Sequence, residues 1–287
     1  MIKPGSKTEH FAVLGHPIGH SLSPVMHNAA FESMGMDACY MAFDVHPDRL
    51  MEVLNAMKHM GFVGVNLTVP HKETAFREFT DLDEMAQLMG AVNTVAFSED
   101  GMAGYNTDGY GFLKALEESF GGSLDGRTVF VLGTGGAGRA VALVSAQNSA
   151  SGITLADLDE ERSRRVCSEI EELNPLVDVS VVSDKAGLAD ASRSADIVVQ
   201  ATPIGMKPDD PSLLGPEAFR EGQWVLDLIY MYPTTTFMAA ASEGGASTAN
   251  GLGMLLHQGA RAFTIWTGIE APMDVMREAL KKAVYKK

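Results

Sequence analysis

Short apolar runs alternate with helix-like patterns along most of the chain. Runs of about four to eight apolar or alternating residues are typical of strands, and apolar residues at a 3.6-residue period are typical of helices. The pattern predicts strands at residues 11–14, 40–45, 62–69, 91–97, 102–105, 128–132, 153–156, 177–182, 196–200 and 224–227. It predicts helices at residues 23–33, 48–60, 108–120, 140–148, 160–173, 235–242, 253–268 and 272–285. Strands that alternate with helices indicate an α/β fold with largely parallel sheets.

A glycine-rich segment follows the predicted strand at 128–132 and leads into a predicted helix. Gly133, Gly135 and Gly138 have the spacing of the dinucleotide-binding fingerprint. In that motif the first glycine allows a tight turn, the second admits a pyrophosphate close to the backbone, and the third lets the helix pack on the strand. An ordinary strand-to-helix turn is the alternative. We predict that the loop formed by Gly133, Thr134, Gly135, Gly136, Ala137 and Gly138 binds a dinucleotide.

This loop suggests a division into domains. We predict an N-terminal α/β domain at residues 1–107 and a Rossmann-type dinucleotide-binding domain at 108–250. Helices at 251–287 are expected to return to the first domain. Ligand sites are frequent between domains, so a crevice between these two is the expected site.

The predicted strand at 153–156 is followed by Asp157, which lies 157 − 133 = 24 residues after the first glycine of the loop. An acidic residue near this distance accepts hydrogen bonds from the adenosine ribose, and its charge would repel a 2′-phosphate. Asp157 therefore favours NAD. Two alternatives remain open: Arg162, Arg164 or Arg165 would contact a 2′-phosphate, or Asp157 caps the next helix.

Lys72 and Asp108 are the candidate proton-transfer residues. Lys72 follows the predicted strand at 62–69 and Pro70, where an open α/β sheet usually keeps its ligands. Asp108 stands at a strand-to-helix corner. Taken alone, Lys72 fits a surface lysine that opens a helix and Asp108 fits a helix N-cap. Together, an amine and a carboxylate can perform the proton step of an alcohol dehydrogenation without a metal.

Composition excludes several classes of function. The chain has 287 residues, a hydrophobic fraction of 46%, a net charge of −15 and a pI of about 4.9, which fits a globular enzyme and argues against nucleic-acid binding. Cys39 and Cys167 are far apart, and the eight histidines form no ligand set, so we predict neither a disulfide framework nor a metal site. No signal peptide or membrane span is visible, and a cytoplasmic location is expected.

Seven ordered motifs resemble the shikimate dehydrogenase family, including its quinate/shikimate dehydrogenase branch, over nearly the whole chain. They lie at residues 19–24, 66–72, 90–94, 104–109, 133–138, 201–206 and 251–258. The resemblance implies reversible NAD(P)-dependent reduction of 3-dehydroshikimate to shikimate, a step of aromatic amino acid biosynthesis. It implies Lys72 as the catalytic lysine and Asp108 as its partner.

The resemblance also implies ligand contacts. It implies substrate contacts from Ser21, Ser23, Thr68, Asn93, Tyr230 and Gln258. Two serine hydroxyls near a helix N-terminus suit a ring carboxylate, and amide groups both donate to and accept from ring hydroxyls. It implies cofactor contacts from Arg162, Thr202, Pro203, Met206, Leu228, Gly251 and Met254, in addition to the glycine loop and Asp157.

One departure from the family pattern affects the choice of cofactor. Members specific for NADP typically have Asn-Arg-Thr after the second Rossmann strand, where this chain has Asp157-Leu158-Asp159. The cofactor is therefore expected to be NAD or NADP, with NAD favoured. An NAD-preferring quinate/shikimate dehydrogenase and, more remotely, a non-catalytic cofactor-sensing module are alternatives. A monomer and a homodimer both remain open.

Overall fold

The computed structural model describes residues 4–207 and 209–285. The chain forms two compact units, one of residues 1–111 with 255–287 and one of residues 112–254. The predicted domain boundaries lie at 107/108 and 250/251, and the compact units divide at 111/112 and 254/255.

The first unit contains a mixed sheet flanked by helices. Its strands are β1 (Glu9–Gly15), β2 (Ala38–Asp44), β3 (Phe62–Leu67), β4 (Asp81–Leu82), β5 (Thr94–Phe97) and β6 (Met102–Tyr105). Its helices are α1 (Ser23–Ser33), α2 (Leu50–His59), α3 (His71–Glu78), α4 (Glu84–Met89), the start of α5 (Asp108–Phe120), most of α10 (Leu252–Thr267) and α11 (Met273–Tyr285). A short 3-10 helix, Pro47–Arg49, precedes α2.

The strand order in this sheet is β2-β1-β3-β5-β6-β4. Strand β1 pairs in parallel with β2 and β3, whereas β5 pairs antiparallel with both β3 and β6. A turn at residues 98–101 joins β5 to β6. The sheet is therefore less uniformly parallel than its alternating pattern predicts. The C-terminal helix α11 packs on α1, within the first unit.

The second unit contains a wholly parallel sheet in the part that the structure describes. Its strands are β7 (Thr128–Leu132), β8 (Gly152–Ala156), β9 (Asp178–Val181), β10 (Ile197–Gln200), β11 (Trp224–Asp227) and β12 (Ser247–Asn250). Its helices are the rest of α5, α6 (Gly136–Gln147), α7 (Glu160–Leu173), α8 (Lys185–Ser194) and α9 (Thr236–Glu243), with a 3-10 turn at Pro216–Ala218. The order β9-β8-β7-β10-β11-β12 is the 3-2-1-4-5-6 order of the Rossmann fold, as predicted.

Several local features differ from the sequence-based expectation. Helix α6 begins at Gly136, four residues before the predicted start at 140, because glycines at a helix N-terminus resemble loop in a sequence pattern. The pattern does not predict α3, α4, α8, β4 and β12, since most of these are too short or too polar for a periodicity signal.

A close contact between β3 and α10 fixes α10 on the first sheet. The indole Nε1 of Trp266 donates a hydrogen bond to the main-chain oxygen of Val95 at 2.9 Å. Gly64 faces the same indole, and a Cβ atom placed there would lie 2.1 Å from Nε1. The glycine is therefore required by packing.

Gly64→Ala is expected to destabilise the protein by roughly 1–3 kcal/mol, because the buried indole has to shift to admit the methyl group. Urea unfolding followed by circular dichroism measures the change. Gly101→Ala is the matched control in the same unit, because a Cβ there meets nothing within 4 Å. Equal unfolding midpoints for the two variants would contradict this packing argument.

Candidate active site

Lys72 and Asp108 come together in the first unit. Lys72 lies in the first turn of α3, and Asp108 is the first residue of α5. The Lys72 Nζ atom lies 2.6 Å from Asp108 Oδ2, and the two side chains are 29% and 18% exposed. Lys72 does open a helix, as its alternative interpretation expects, yet its ammonium turns to the carboxylate. Partial shielding from water strengthens this charge-assisted bond while leaving one side of the pair accessible.

Asn93 holds the other oxygen of this carboxylate. Its Nδ2 atom donates to Asp108 Oδ1 at 2.9 Å and to Thr107 Oγ1 at 3.0 Å. Its Oδ1 atom accepts from the main-chain N–H of Thr107 at 2.9 Å. Asn93 is 2% exposed. The Asp108 carboxylate is thus held from both sides, by an ammonium and by an amide.

The remaining predicted substrate residues of this unit lie at the ends of neighbouring elements. Ser21 Oγ accepts from the main-chain N–H of Ser23 at 3.4 Å, just before α1. Thr68 follows β3, where its N–H donates to Leu14 O at 2.9 Å. Gln258 lies on α10, and its Oε1 atom accepts from Thr107 Oγ1 at 3.5 Å. Thr107 therefore joins Gln258 to Asn93, a role that the sequence analysis did not assign to it.

Tyr230 belongs to the second unit, where it follows β11. Burial raises the pKa of its phenol above the ordinary value. Its predicted contact with the substrate stays a prediction.

The glycine loop of the second unit has the geometry that a dinucleotide requires. Gly133 has a φ of +97°, and Gly138 lies so close to it that a Cβ at 138 would be 1.8 Å from Gly133 O. A Cβ at Gly135 or at Gly136 would meet nothing within 4 Å. Helix α6 starts at Gly136, so its first N–H groups and its positive end border this open space. The loop fits a pyrophosphate, in agreement with the sequence motif.

Asp157 ties the end of β8 to the glycine loop. Its Oδ2 atom accepts from the N–H of Thr134 at 2.7 Å and from Thr134 Oγ1 at 3.1 Å, and its Oδ1 atom accepts from the N–H of Asp159 at 2.9 Å. Burial raises the pKa of Asp157, but these hydrogen bonds and nearby Arg162 outweigh that effect, and the pKa is lowered overall. Asp159, not Asp157, caps α7, so the helix-cap alternative for Asp157 is wrong.

Arg162 is placed between two carboxylates. Its Nη1 atom lies 3.6 Å from Asp157 Oδ2, and its Nη2 atom lies 3.4 Å from Asp159 Oδ2. Both separations exceed ordinary hydrogen-bond lengths, and the Arg162 side chain is 45% exposed. The arginine is therefore weakly held beside Asp157 and Asp159.

Most of the remaining residues predicted to contact the cofactor lie in loops that follow the strands of the second sheet. Thr202 follows β10 and lies beside Gly133. A Cβ added at Gly133 would lie 2.8 Å from the Thr202 methyl group. Gly251 approaches Leu228 so closely that a Cβ would lie 2.1 Å from Leu228 O. The two other loop residues are Pro203 and Met206, and Met206 is 51% exposed. Met254 lies in the first turn of α10. Their contacts with a cofactor stay predictions.

Three buried residues of the first unit carry polar groups that the motifs and their spacing do not explain, and these are Tyr40, Asn66 and Thr94. Each lies within a predicted strand, where a polar group among apolar neighbours is an informative signal because burial requires a partner. Among residues 4–207 and 209–285, no group of three or more His, Cys, Asp or Glu side chains is arranged to hold a metal ion. Across those same residues, no helix has both the length and the apolar character needed to cross a membrane.

A Rossmann strand order with an open glycine loop, together with a lysine–carboxylate pair, is characteristic of the nicotinamide-dependent dehydrogenases as a class. Comparison with known proteins narrows the class. The profile of the shikimate dehydrogenase substrate binding domain matches residues 13–95, and that of the shikimate 5'-dehydrogenase C-terminal domain matches residues 251–281.

Full-length relatives agree. Shikimate dehydrogenase (NADP(+)) of Methanopyrus kandleri is 42% identical over 96% of each chain. The structure of shikimate 5-dehydrogenase from Listeria monocytogenes with shikimate and NAD matches with a TM-score of 0.90 and 32% identity, over 98% of this chain and 99% of that one. Quinate dehydrogenase from Corynebacterium glutamicum with NAD matches with a TM-score of 0.87 and 31% identity, over 95% and 98%. The chain belongs to the shikimate dehydrogenase family.

The lowered pKa of Asp157 predicts a pH-dependent contribution to stability. A carboxylate whose pKa is lower in the folded state stabilises the fold above its unfolded pKa, about 3.9, and this contribution disappears as the pH falls through the folded value. Asp157→Asn should therefore lower the urea unfolding midpoint at pH 7, and the difference from the wild type should shrink below about pH 4.

Asp125→Asn is the control for this experiment, because it removes the charge of an exposed carboxylate in the same unit. Its midpoint should stay close to the wild-type value throughout the titration. A difference between Asp157→Asn and the wild type that stays constant or grows on acidification would contradict the role of the ionised carboxylate.

Proposed function

We propose that this protein is a shikimate dehydrogenase that interconverts 3-dehydroshikimate and shikimate with a nicotinamide dinucleotide. The observation that carries the proposal is the Lys72–Asp108 pair, with Nζ and Oδ2 2.6 Å apart, in a member of this family. The other carboxylate oxygen, Asp108 Oδ1, accepts from Asn93, so the pair has a fixed orientation. This arrangement provides the proton-transfer half of an alcohol–ketone conversion.

The proton step uses the ammonium of Lys72. In the direction of reduction, the ammonium donates a proton to the carbonyl oxygen as that oxygen gains charge, and in oxidation the neutral amine of Lys72 accepts the proton of the hydroxyl. Asp108 holds the ammonium in place and accepts a hydrogen bond from the reacting hydroxyl. When bound, the nicotinamide supplies or accepts the hydride. No metal ion takes part in this scheme.

The substrate carboxylate would bind at the start of α1. Ser21 and Ser23 supply hydroxyl donors there, and the positive end of the helix dipole assists them. Asn93 and Gln258 would contact the ring hydroxyls, because an amide donates and accepts at once. Thr68 and Tyr230 complete the proposed set of substrate contacts.

The dinucleotide would be held by the second unit. Open space beside Gly135 and Gly136, at the N-terminus of α6, supports binding of the pyrophosphate. Ala137, Pro203, Met206 and Met254 are proposed to provide apolar contacts around the cofactor. The half-buried, hydrogen-bonded carboxylate of Asp157 supports NAD, since its negative charge opposes a 2′-phosphate. Arg162 is the group that would favour NADP instead.

A quinate/shikimate dehydrogenase is the second candidate. The fold similarity to the NAD-bound quinate dehydrogenase of Corynebacterium glutamicum, with a TM-score of 0.87, supports it. Quinate carries a ring carboxylate and hydroxyls that the same groups would bind.

A two-by-two assay tests substrate and cofactor together, with shikimate or quinate and NAD or NADP, by absorbance of the reduced cofactor. We expect the highest kcat/KM with shikimate and NAD, with NAD preferred by roughly fivefold or more, since repulsion of about 1 kcal/mol between one pair of charges gives that factor. Asp157→Asn should narrow the preference for NAD, and Asp125→Asn should leave it unchanged. Cofactor binding without turnover of either substrate would defeat the proposal, whereas a strong preference for NADP would defeat only the role of Asp157.

Replacing Lys72 with Ala should lower kcat by roughly 10²–10⁴-fold, the usual range for a general acid–base group, with a smaller effect on KM. Steady-state kinetics with shikimate measures the change. Lys58→Ala is the control, because the Lys58 ammonium donates instead to the main-chain oxygen of Glu99, in the β5–β6 turn. If the kcat of Lys72→Ala is close to that of Lys58→Ala, then Lys72 is not the proton-transfer group.

A further inference from the structure

A continuous chain of buried hydrogen bonds leads from the interior of the first unit to Asp108. Tyr40 OH donates to Asn66 Oδ1 at 2.6 Å, and Asn66 Nδ2 donates to Thr94 Oγ1 at 3.0 Å. Thr94 Oγ1 donates to Asn93 Oδ1 at 2.9 Å, and Asn93 Nδ2 donates to Asp108 Oδ1 at 2.9 Å. Tyr40, Asn66, Thr94 and Asn93 are respectively 2%, 6%, 0% and 2% exposed.

The direction of every bond in this chain is determined by groups that have a single role. Asn66 Nδ2 also donates to the main-chain oxygen of Asn93 at 3.1 Å, and a carbonyl oxygen only accepts. The Asn66 amide must therefore present its nitrogen to Asn93 and its oxygen to Tyr40. Tyr40 must in turn be the donor in its own bond.

At the other end of the chain of hydrogen bonds, a group that only donates determines the orientation of Asn93. The main-chain N–H of Thr107 only donates, and Asn93 Oδ1 accepts from it at 2.9 Å. The Asn93 nitrogen then faces Asp108, whose carboxylate only accepts when ionised. Between the two amides, Thr94 accepts from Asn66 and donates to Asn93. All donors therefore point the same way, toward Asp108, and aligned hydrogen bonds of this kind strengthen one another.

Tyr40 is suited to the start of such a chain. Burial raises the pKa of its phenol well above the ordinary value, although a hydrogen bond with Ser23 acts in the opposite direction. The phenol therefore stays protonated, and able to donate, at any working pH. Its ring stacks on His27, with centroids 4.4 Å apart and planes within 7°. The ring position thus depends on packing that a phenylalanine would keep.

We propose that Tyr40 and Thr94 are positioning residues for the reaction, because their hydroxyls hold the Asn93 amide in the one orientation that donates to Asp108. Neither residue needs to touch the substrate. Thr94 acts directly on Asn93, and Tyr40 acts through Asn66 and Thr94. The effect of removing a hydroxyl should therefore decrease with its distance from Asp108 along the chain.

The test compares variants that each remove one buried hydroxyl. Thr94→Val and Tyr40→Phe interrupt the chain and keep the shape of the side chain. Thr8→Val is the matched control in the same unit, since Thr8 is 4% exposed and its hydroxyl bonds Asp37 Oδ1 at 2.7 Å, outside the chain. Thr94→Ser loses a buried methyl group but keeps the hydroxyl.

This inference rests on the proposed function when it is tested by kcat with shikimate. We expect kcat to fall roughly tenfold in Thr94→Val and roughly threefold in Tyr40→Phe, the scale of one hydrogen bond. The KM for the dinucleotide should not change. Thr94→Ser should stay within about twofold of the wild type, even if its melting temperature falls. Thr8→Val should lower the melting temperature and leave kcat unchanged.

Two kinetic results would overturn the proposal. If Thr94→Val and Tyr40→Phe retain the kcat of Thr8→Val, then their hydroxyls support only stability. If Thr94→Ser is as slow as Thr94→Val, then the threonine methyl matters and the hydrogen bond does not.

A second measurement is independent of catalysis. NMR can follow hydrogen exchange of the Asn93 side-chain amide, whose signal is assigned because it is missing in Asn93→Ala. Exchange should be fastest in Thr94→Val and slower in Tyr40→Phe, and in both it should be faster than in the wild type. In Thr8→Val the exchange rate should be unchanged. Equal exchange in all variants would overturn the proposal. If the wild type converts neither shikimate nor quinate, the proposed function fails, and the exchange data alone decide whether the chain orients Asn93.

Discussion

The amide of Asn93 is the constraint on which the geometry of the candidate site depends. Its main-chain oxygen accepts from Leu67 N at 2.8 Å, its main-chain N–H donates to Tyr105 O at 3.0 Å, and its side chain holds Asp108 and Thr107. One residue therefore joins the end of β3, the end of β6 and the start of α5. The N–H of the preceding Val92 donates to Lys72 O at 2.9 Å, so the lysine segment is tied to the same point. Lys72 and Asp108 meet because the Lys72 segment is hydrogen-bonded to Val92 and Asp108 is hydrogen-bonded to the adjacent Asn93.

Burying this many polar groups is tolerated only because they satisfy one another. An amide or hydroxyl without a partner in a protein interior is destabilising by roughly 1–3 kcal/mol, and Asn66, Thr94 and Thr107 all have partners. His27 differs from these residues, because it is buried in its neutral form. Both of its ring nitrogens are buried without a hydrogen-bond partner, and burial lowers its pKa to about 3. It stays neutral and serves as a flat ring against Tyr40, whereas the phenol of Tyr40 carries the polar function.

How far the sequence predicts this protein depends on the range over which each signal acts. Periodicity places most strands and long helices, and a spacing of three glycines indicates the Rossmann loop, because both signals are local. Helix α3 holds Lys72 yet has too few residues for a periodicity signal. Lys72 and Asp108 are 36 positions apart, so no local pattern shows that they meet, and only their strand-end positions and the family motifs suggest it. Tyr40, Asn66 and Thr94 come from three different strands, and their shared chain of hydrogen bonds depends on sheet register, which the pattern does not specify.

The structural role of Asp157 in the glycine loop is compatible with its proposed effect on cofactor choice. Its oxygens accept hydrogen bonds from Thr134 and from the N–H of Asp159, which is a structural role, since it joins β8 to the glycine loop. A carboxylate in this role keeps its negative charge, because main-chain donors stabilise the ionised form and lower its pKa. It also has further lone pairs that remain able to accept from ribose hydroxyls. The hydrogen bonds that build the loop are thus the reason that the charge persists there, and a persistent charge is what would discriminate against a 2′-phosphate.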